Sequence, residues 1–278
     1  MFTLNCKGRL LCAETPIVMG ILNITPDSFY EGSRFENSST MIHKAGEMIQ
    51  EGATILDIGG QSSRPGAEPI TAEEEWKRIA PAIQSIRENF PEIFISVDTY
   101  YASVAQSAVE AGADIINDIS AGKLDPEMIP TVAHLNIPFI AMHMKGNPSN
   151  MQEQTTYKDL LGDIIDYFTE RIQYLHKAGI KDVIIDPGFG FAKTIEQNFK
   201  LLSNLEDLQI LQMPILAGLS RKSMIYKTLG ISPGESLNGS SVLHTIALTK
   251  GAQILRTHDV KEAVECIKLT EKLRTKPA

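Results

Sequence analysis

Residues 182–194, DVIIDPGFGFAKT, run from an apolar strand through the acid Asp186 into a glycine-rich loop and a lysine. Directly after them, Thr194 and Gln197 have the spacing of a capping box ahead of Phe199 and Leu202, so a helix starts where the loop ends. The stretch is a strand, loop and helix unit with a carboxylate at the strand's carboxyl end. Two phosphate-binding readings of the loop fail on spacing. GFGFAKT lacks the four residues a P-loop needs between its first glycine and a Gly-Lys-Ser/Thr triplet, and Ala192-Lys193 stand where a G-x-G-x-x-G turn places its last glycine. The acid needs another explanation.

Seven further runs share the pattern: IVMGILN (17–23), TILDI (54–58), FISVD (94–98), DIIND (114–118), PFIAM (138–142), PILAG (214–218) and AQILR (252–256). Helical patterns lie between most of them. Thr71 and Glu74 have capping-box spacing before Trp76, Ile79, Ile83 and Ile86, and Asp125-Pro126 reads as an N-cap and first turn before Met128, Ile129 and Val132. Strands apolar on both faces, alternating with helices, are the mark of a parallel sheet covered by helices. Eight such units predict an α/β fold closed into a (β/α)8 TIM barrel, with an open doubly wound sheet as the alternative that periodicity does not separate from it. Residues 2–12, turning at Lys7-Gly8, read as an N-terminal β-hairpin before the first barrel strand. With no linker or composition shift, residues 1–278 are expected to form one domain.

Composition narrows the classes. Hydrophobic residues at 43% and charged residues at 22% are those of a soluble globular chain, and no apolar run approaches the roughly 20 residues that span a bilayer. The opening MFTLNCKGRL has no apolar export segment, which predicts a cytoplasmic protein. Cys6, Cys12 and Cys266 form no C-x-x-C pair and are expected as free thiols. A net charge of −8 opposes a nucleic-acid surface but permits a local basic pocket for a small anion.

The strand ends carry Asn23, Asp57, Asp98, Asn117, His143, Asp186, Ser220-Arg221-Lys222, and Arg256 with His258. In α/β barrels the catalytic face is built from these ends and the loops after them. One acid after a strand is most often a cap or turn former, a reading that weighs most on Asn117 and Asp118. The set as a whole resists that reading, because burying so many polar groups at one mouth costs about 1 to 3 kcal/mol each unless something pairs with them. Asp57, Asp98, Asn117 and Asp186 suit a donor-rich ring such as an aminopyrimidine edge. Arg64, Lys222, Arg256 and His258, with Ser62 and Ser63, suit phosphate oxygens. Arg64 alone could be a surface partner of Glu68 or Glu73, and Lys222 alone a solvated helix start. Nucleophilic catalysis lacks a G-x-S-x-G or an electropositive cysteine, and His43, His134, His176 and His244 are scattered over helical patterns rather than clustered as zinc ligands. The acids facing a cationic set fit Mg²⁺ carried on a diphosphate.

MGILNITPDSF, LDIGGQSSRPGAEPI, ISVDTY, INDIS, IIDPGFGFAKT, LAGLSRKSMI and ILRTHDV occur in this order over nearly the whole chain. Together they resemble the dihydropteroate synthase family. The resemblance implies a (β/α)8 barrel that joins a dihydropterin pyrophosphate to 4-aminobenzoate, with Mg²⁺, by departure of the diphosphate and attack of the arylamine on a pterin carbocation. It implies catalytic roles for Asp98, Lys222 and Arg256. A pterin site is implied at Asp98, Asn117, Met142, Asp186, Phe191, Gly218 and Lys222, and a diphosphate site at Ser63, Arg64, Arg256 and His258. An aminobenzoate site is implied at Phe29, Pro65, Lys222 and Ser223, with Asn23 helping to hold the metal. The loops of Thr25–Phe29 and Ser62–Gly66 resemble two mobile loops of that family. The chain departs from the family's common pattern at Gln61-Ser62-Ser63 (Glu-Ser-Thr), Tyr30-Glu31 (Ser-Asp) and Ala192 (Gly). Two rivals share the fold: a methyltransferase passing a methyl group from a folate to a corrinoid, which has no use for the cationic half, and a non-catalytic pterin-binding barrel. A homodimer is implied, with residues 239–272 as the apolar-rich candidate interface.

Overall fold

The computed structural model describes residues 1–24, 34–61 and 69–274. Strands β1 (Phe2–Cys6) and β2 (Arg9–Ala13) form an antiparallel hairpin turning at Lys7-Gly8, both in left-handed conformation. Then follow β3 (Ile17–Asn23), α1 (Arg34–Glu51), β4 (Ile55–Gly59), α2 (Ala72–Asn89), β5 (Phe94–Asp98), α3 (Ala102–Glu110), β6 (Ile115–Asp118), α4 (Met128–Leu135) and β7 (Phe139–Met142). The chain continues through α5 (Leu160–Lys177), β8 (Val183–Asp186), α6 (Ile195–Ser203), β9 (Leu216–Ala217), α7 (Ser223–Leu229), α8 (Leu237–Thr249), β10 (Ile254–Thr257) and α9 (Val260–Arg274). Strands β3 to β10 form one parallel sheet in the order β8-β7-β6-β5-β4-β3-β10-β9. A bridge between Ile185 and Ile215 joins the two ends, so the sheet closes as a barrel and the doubly wound alternative is set aside. Closure is thin there because Pro214 has no N–H to donate; its carbonyl accepts from the Ile185 N–H at 2.9 Å, and β9 is shortened to two residues from the expected 214–218.

The core has two layers set by the two-residue period of a strand. Val18, Leu56, Ile95, Val97, Ile116, Phe139, Ile185 and Leu255 face outward and pack under the helices. Met19, Ile55, Ile115, Ile140, Ile184, Leu216 and Ile254 face inward and meet Leu4, Cys6, Leu11 and Ala13 of the hairpin. The hairpin therefore plugs the amino-terminal end of the barrel, and chemistry is left to the other end. Two expected helix starts are revised. Thr71 accepts the Glu74 N–H at 3.2 Å, but the Glu74 carboxylate is drawn off by Arg78, so the box is only half made. Asp125 caps across the fold as well as locally, where its Oδ1 accepts the Glu127 N–H at 3.0 Å. Its Oδ2 accepts the Ala102 N–H at the start of α3 at 2.8 Å, while α4 begins later, at Met128. The Thr194–Gln197 box is complete in both directions.

Candidate active site

Two residues beyond the inward apolar layer, the same strand parity places Asp57, Asn117, Met142, Asp186 and Arg256 in the barrel mouth. Asn23, Gly59, Asp98 and Asn117 are in register across four neighbouring strands. Gly59 has no side chain between them: a Cβ there would sit 3.5 Å from Asp98 Cβ, 3.7 Å from Asn23 Oδ1 and 4.0 Å from Asp98 Oδ2, so Asn23 and Asp98 border the same position above the glycine. Asp118 has the opposite parity. It accepts from the Ser120 N–H and hydroxyl and from the Gly122 N–H, each at 2.7 Å, which makes it a turn former.

Arg256 organises the mouth. Its Nε donates to Asp57 Oδ2 at 2.6 Å and its Nη2 to Asp98 Oδ2 at 2.7 Å, while Asn117 Nδ2 donates to Asp57 Oδ2 at 3.2 Å. Asp57 is fully buried, and among the described residues its Oδ1 has no hydrogen-bond partner. Asp57 was read from sequence as one acid of the ring pocket; the structure makes it the anchor of the arginine. Burial pushes the Asp98 carboxyl above its ordinary range, against the pull of Arg256. His258 was expected as a cation. Burial and the Arg256 guanidinium instead lower it to about 4, so in the free protein it is a neutral ring. Its backbone N–H donates to Ser220 Oγ at 3.2 Å.

The loop after β8 supplies the opposite wall. Asp186 Oδ1 accepts the Gly188 N–H at 2.8 Å, which leaves Oδ2 toward Gly218, whose Cβ position would lie 4.0 Å away. Burial raises the Asp186 carboxyl, opposed by Lys222 and by that N–H. Lys222 stands at the N-cap of α7, its ammonium on the Phe189 carbonyl and 4.6 Å from the centre of the Phe191 ring. Desolvation lowers it to about 8, with Asp186 working the other way. Gly190 must be glycine here, since its φ is +83° and a Cβ would sit 3.1 Å from the Lys222 side chain. Phe191 packs with Met142, Met144, Met151 and Ile119 into a small apolar cluster. Thus a flat hydrophobic surface lies beside a carboxylate and an ammonium. Ser223 opens α7 next to Lys222 and is partly buried. Arg221 turns away to clamp Asp259 with two bonds, of 2.7 and 3.0 Å. Phe29, Ser63, Arg64 and Pro65, and both expected mobile loops, lie outside the described residues.

A family profile described as "Pterin binding enzyme" matches residues 19–258. The dihydropteroate synthase of Escherichia coli K12 is 42% identical over 270 residues, covering 96% of this chain and 95% of its own. That of Synechocystis is 45% identical over 259 residues, covering 92% and 89%. This chain belongs to the dihydropteroate synthase family. The likeness extends to solved members of the family. The Yersinia pestis dihydropteroate synthase in complex with a sulfonamide drug has a TM-score of 0.92 at 40% identity, over 98% of this chain and 99% of that one. The Xanthomonas albilineans dihydropteroate synthase with 4-aminobenzoic acid has a TM-score of 0.92 at 38% identity, over 99% of each chain. The same organism's dihydropteroate synthase with 7,8-dihydropteroate has a TM-score of 0.89 at 36% identity, over 99% and 100%.

Proposed function

We propose that this chain condenses 6-hydroxymethyl-7,8-dihydropterin pyrophosphate with 4-aminobenzoate, giving 7,8-dihydropteroate and pyrophosphate for folate synthesis. The observation that carries the reading is the meeting, in one barrel mouth, of Asp98, Asn117 and Asp186 with Lys222, Arg256 and His258. Asp186 Oδ2 and Asn117 read the aminopyrimidine edge, Met142 and Phe191 cover the ring faces, and Gly218 leaves room beside the acid. Arg256 and His258, with Ser63 and Arg64, take the diphosphate. Phe29, Pro65, Lys222 and Ser223 take the arylamine.

The charge arrangement suits a reaction in which the carbon–oxygen bond to the diphosphate breaks first. The electron pair leaves with the diphosphate, toward the arginine, and Asp98 and Asp186 stabilise the positive charge left on the pterin. The amine lone pair then forms the new carbon–nitrogen bond, and the ammonium so formed gives its proton to water. Asn23, a neutral oxygen donor bordering the same position as Asp98, fits Mg²⁺, which takes few protein ligands and keeps waters and substrate phosphates. When bound, the ion neutralises charge on the departing diphosphate. We also propose that the chain works as one barrel domain over residues 1–278, in the cytoplasm, as a homodimer through residues 239–272. Among the described residues no helix is long and apolar enough to cross a membrane, and Val242, Ile246 and Leu269 are exposed on α8 and α9.

The test is pyrophosphate release from the pterin diphosphate with Mg²⁺, with and without 4-aminobenzoate, for the wild type, Asp98→Asn and Arg64→Ala. Release that depends on aminobenzoate and collapses in both variants supports the reading. Folded wild type that binds the pterin without releasing pyrophosphate would place the chain among non-catalytic pterin binders.

A further inference from the structure

Lys193 follows the pterin-side loop and is 3% exposed, yet nothing in the reaction uses it. Its Nζ lies 3.0 Å from the Gly188 carbonyl, 3.1 Å from the Phe191 carbonyl and 3.1 Å from His143 Nδ1. The three contacts use the full capacity of an ammonium donor. In the amine form they also persist, with two N–H bonds to the carbonyls and a lone pair accepting from His143 Nδ1–H. The segment between them is unusual backbone: Gly188, Gly190 and Ala192 have φ of +69°, +83° and +51°. Alternate left-handed residues do not hold such a shape unaided. The loop makes few backbone bonds of its own, and side chains bind its carbonyls instead. Gln152 donates to the Gly190 carbonyl at 3.0 Å, Tyr157 to that of Ala192 at 2.9 Å, and Lys222 to that of Phe189. Asn198 Oδ1 accepts the Gly190 N–H at 2.7 Å.

We infer that Lys193 is a positioning residue of the pterin site: by bridging both ends of the 188–191 turn and His143, it fixes the Phe191 ring and the Phe189 carbonyl on which Lys222 rests. It acts through Phe191 and Lys222 and touches no reacting atom. The inference rests on the proposed placement of the pterin against this loop. A loop held less firmly admits displacements near 1 Å, which can cost about 100-fold when they fall on groups that orient a substrate.

The test is steady-state kinetics of the wild type, Lys193→Met and Gln152→Met, with each substrate varied in turn, together with hydrogen exchange of the 188–191 amides. Met keeps the length of Lys193 without its donors; Gln152 is exposed, so its variant folds even if Lys193→Met does not. Lys193→Met is expected to raise the KM for the pterin diphosphate at least about tenfold, to raise that for 4-aminobenzoate, which meets the loop only through Lys222, by a clearly smaller factor, and to speed exchange at 188–191. Gln152→Met is expected to show the same split at smaller size. Equal changes in both KM values, an unchanged pterin KM, or exchange no faster in the loop than elsewhere would overturn the inference. Should Lys193→Met not fold, an unsplit Gln152→Met would overturn it alone. A wild type that turns over no pterin diphosphate would instead refute the proposed function, while loop exchange still reports on the pin.

Discussion

Replacing Asp57 with Asn probes the arginine at the centre of the mouth. Arg256 approaches Asp57 Oδ2 through both Nε and Nη2 at 2.6 Å, and the acid is fully buried. Removing one partner of a buried pair costs about 3 to 5 kcal/mol. Two features pull this case to the low end: Arg256 retains Asp98 at 2.7 Å, and its side chain is 18% exposed. The expected loss is about 3 kcal/mol. With an unfolding entropy near 2.1 cal/mol/K per residue, the 278-residue chain loses about 1.7 °C of Tm per kcal/mol, so Tm should fall by about 5 °C. Urea unfolding of the wild type, Asp57→Asn, Arg256→Met and the double variant closes a cycle. If the pair is coupled as its geometry requires, the double variant is less destabilised than the sum of the singles by at least about 1 kcal/mol. Effects that add within about 0.5 kcal/mol would refute the ion pair as the organiser of the site.

Asp186→Asn keeps the shape of the pocket but weakens acceptance from the aminopyrimidine edge; the KM for the pterin diphosphate should rise about tenfold or more, checked by initial rates, with Tm little changed. Asn23→Ala should raise the magnesium concentration giving half-maximal rate, read from a magnesium titration at saturating substrates, and an unaltered titration would remove Asn23 from the metal site. Lys222, lowered to about 8, is cationic below that pH, so kcat/KM for the pterin diphosphate should fall as pH rises through 8, and Lys222→Arg should lose this limb of the profile. Glu75, buried in α2 and accepting from the Thr99 hydroxyl at 2.6 Å, is raised by desolvation from 4.5 to about 7. Between those values the native state holds a proton that the unfolded chain has released, so stability falls as pH rises through the window. Urea unfolding at pH 5 and pH 8 should show a decline, of at most about 3 kcal/mol from this group, that Glu75→Gln flattens.

Asp57 and Asp118 illustrate where sequence reading reaches and where it stops. Each follows an apolar strand run, and the same reading of strand ends finds both; what separates them is a single step of strand parity. The sequence contains that information only after the register is known. Ile115 faces the hairpin plug and Ile116 the helices, which sends Asn117 into the mouth and Asp118 out to bind the Ser120–Gly122 turn. Apolar on both faces, these strands show no alternation from which to take the phase. Closure was legible only as a count of eight units, which left the open sheet in play until the Ile185–Ile215 bridge decided it. The weakest seam was not legible, because the short pairing of β9 depends on what stands opposite Pro214. The contacts that pass unseen are long in sequence. Asp57 meets Arg256 across 199 residues and Asp125 caps α3 from 23 residues downstream. His258 shows the same limit for charge: its residue type suggests a cation, whereas burial beside Arg256 makes it neutral. Residue type marks which groups can do chemistry, while the barrel decides in which protonation state and toward which neighbour each of them stands.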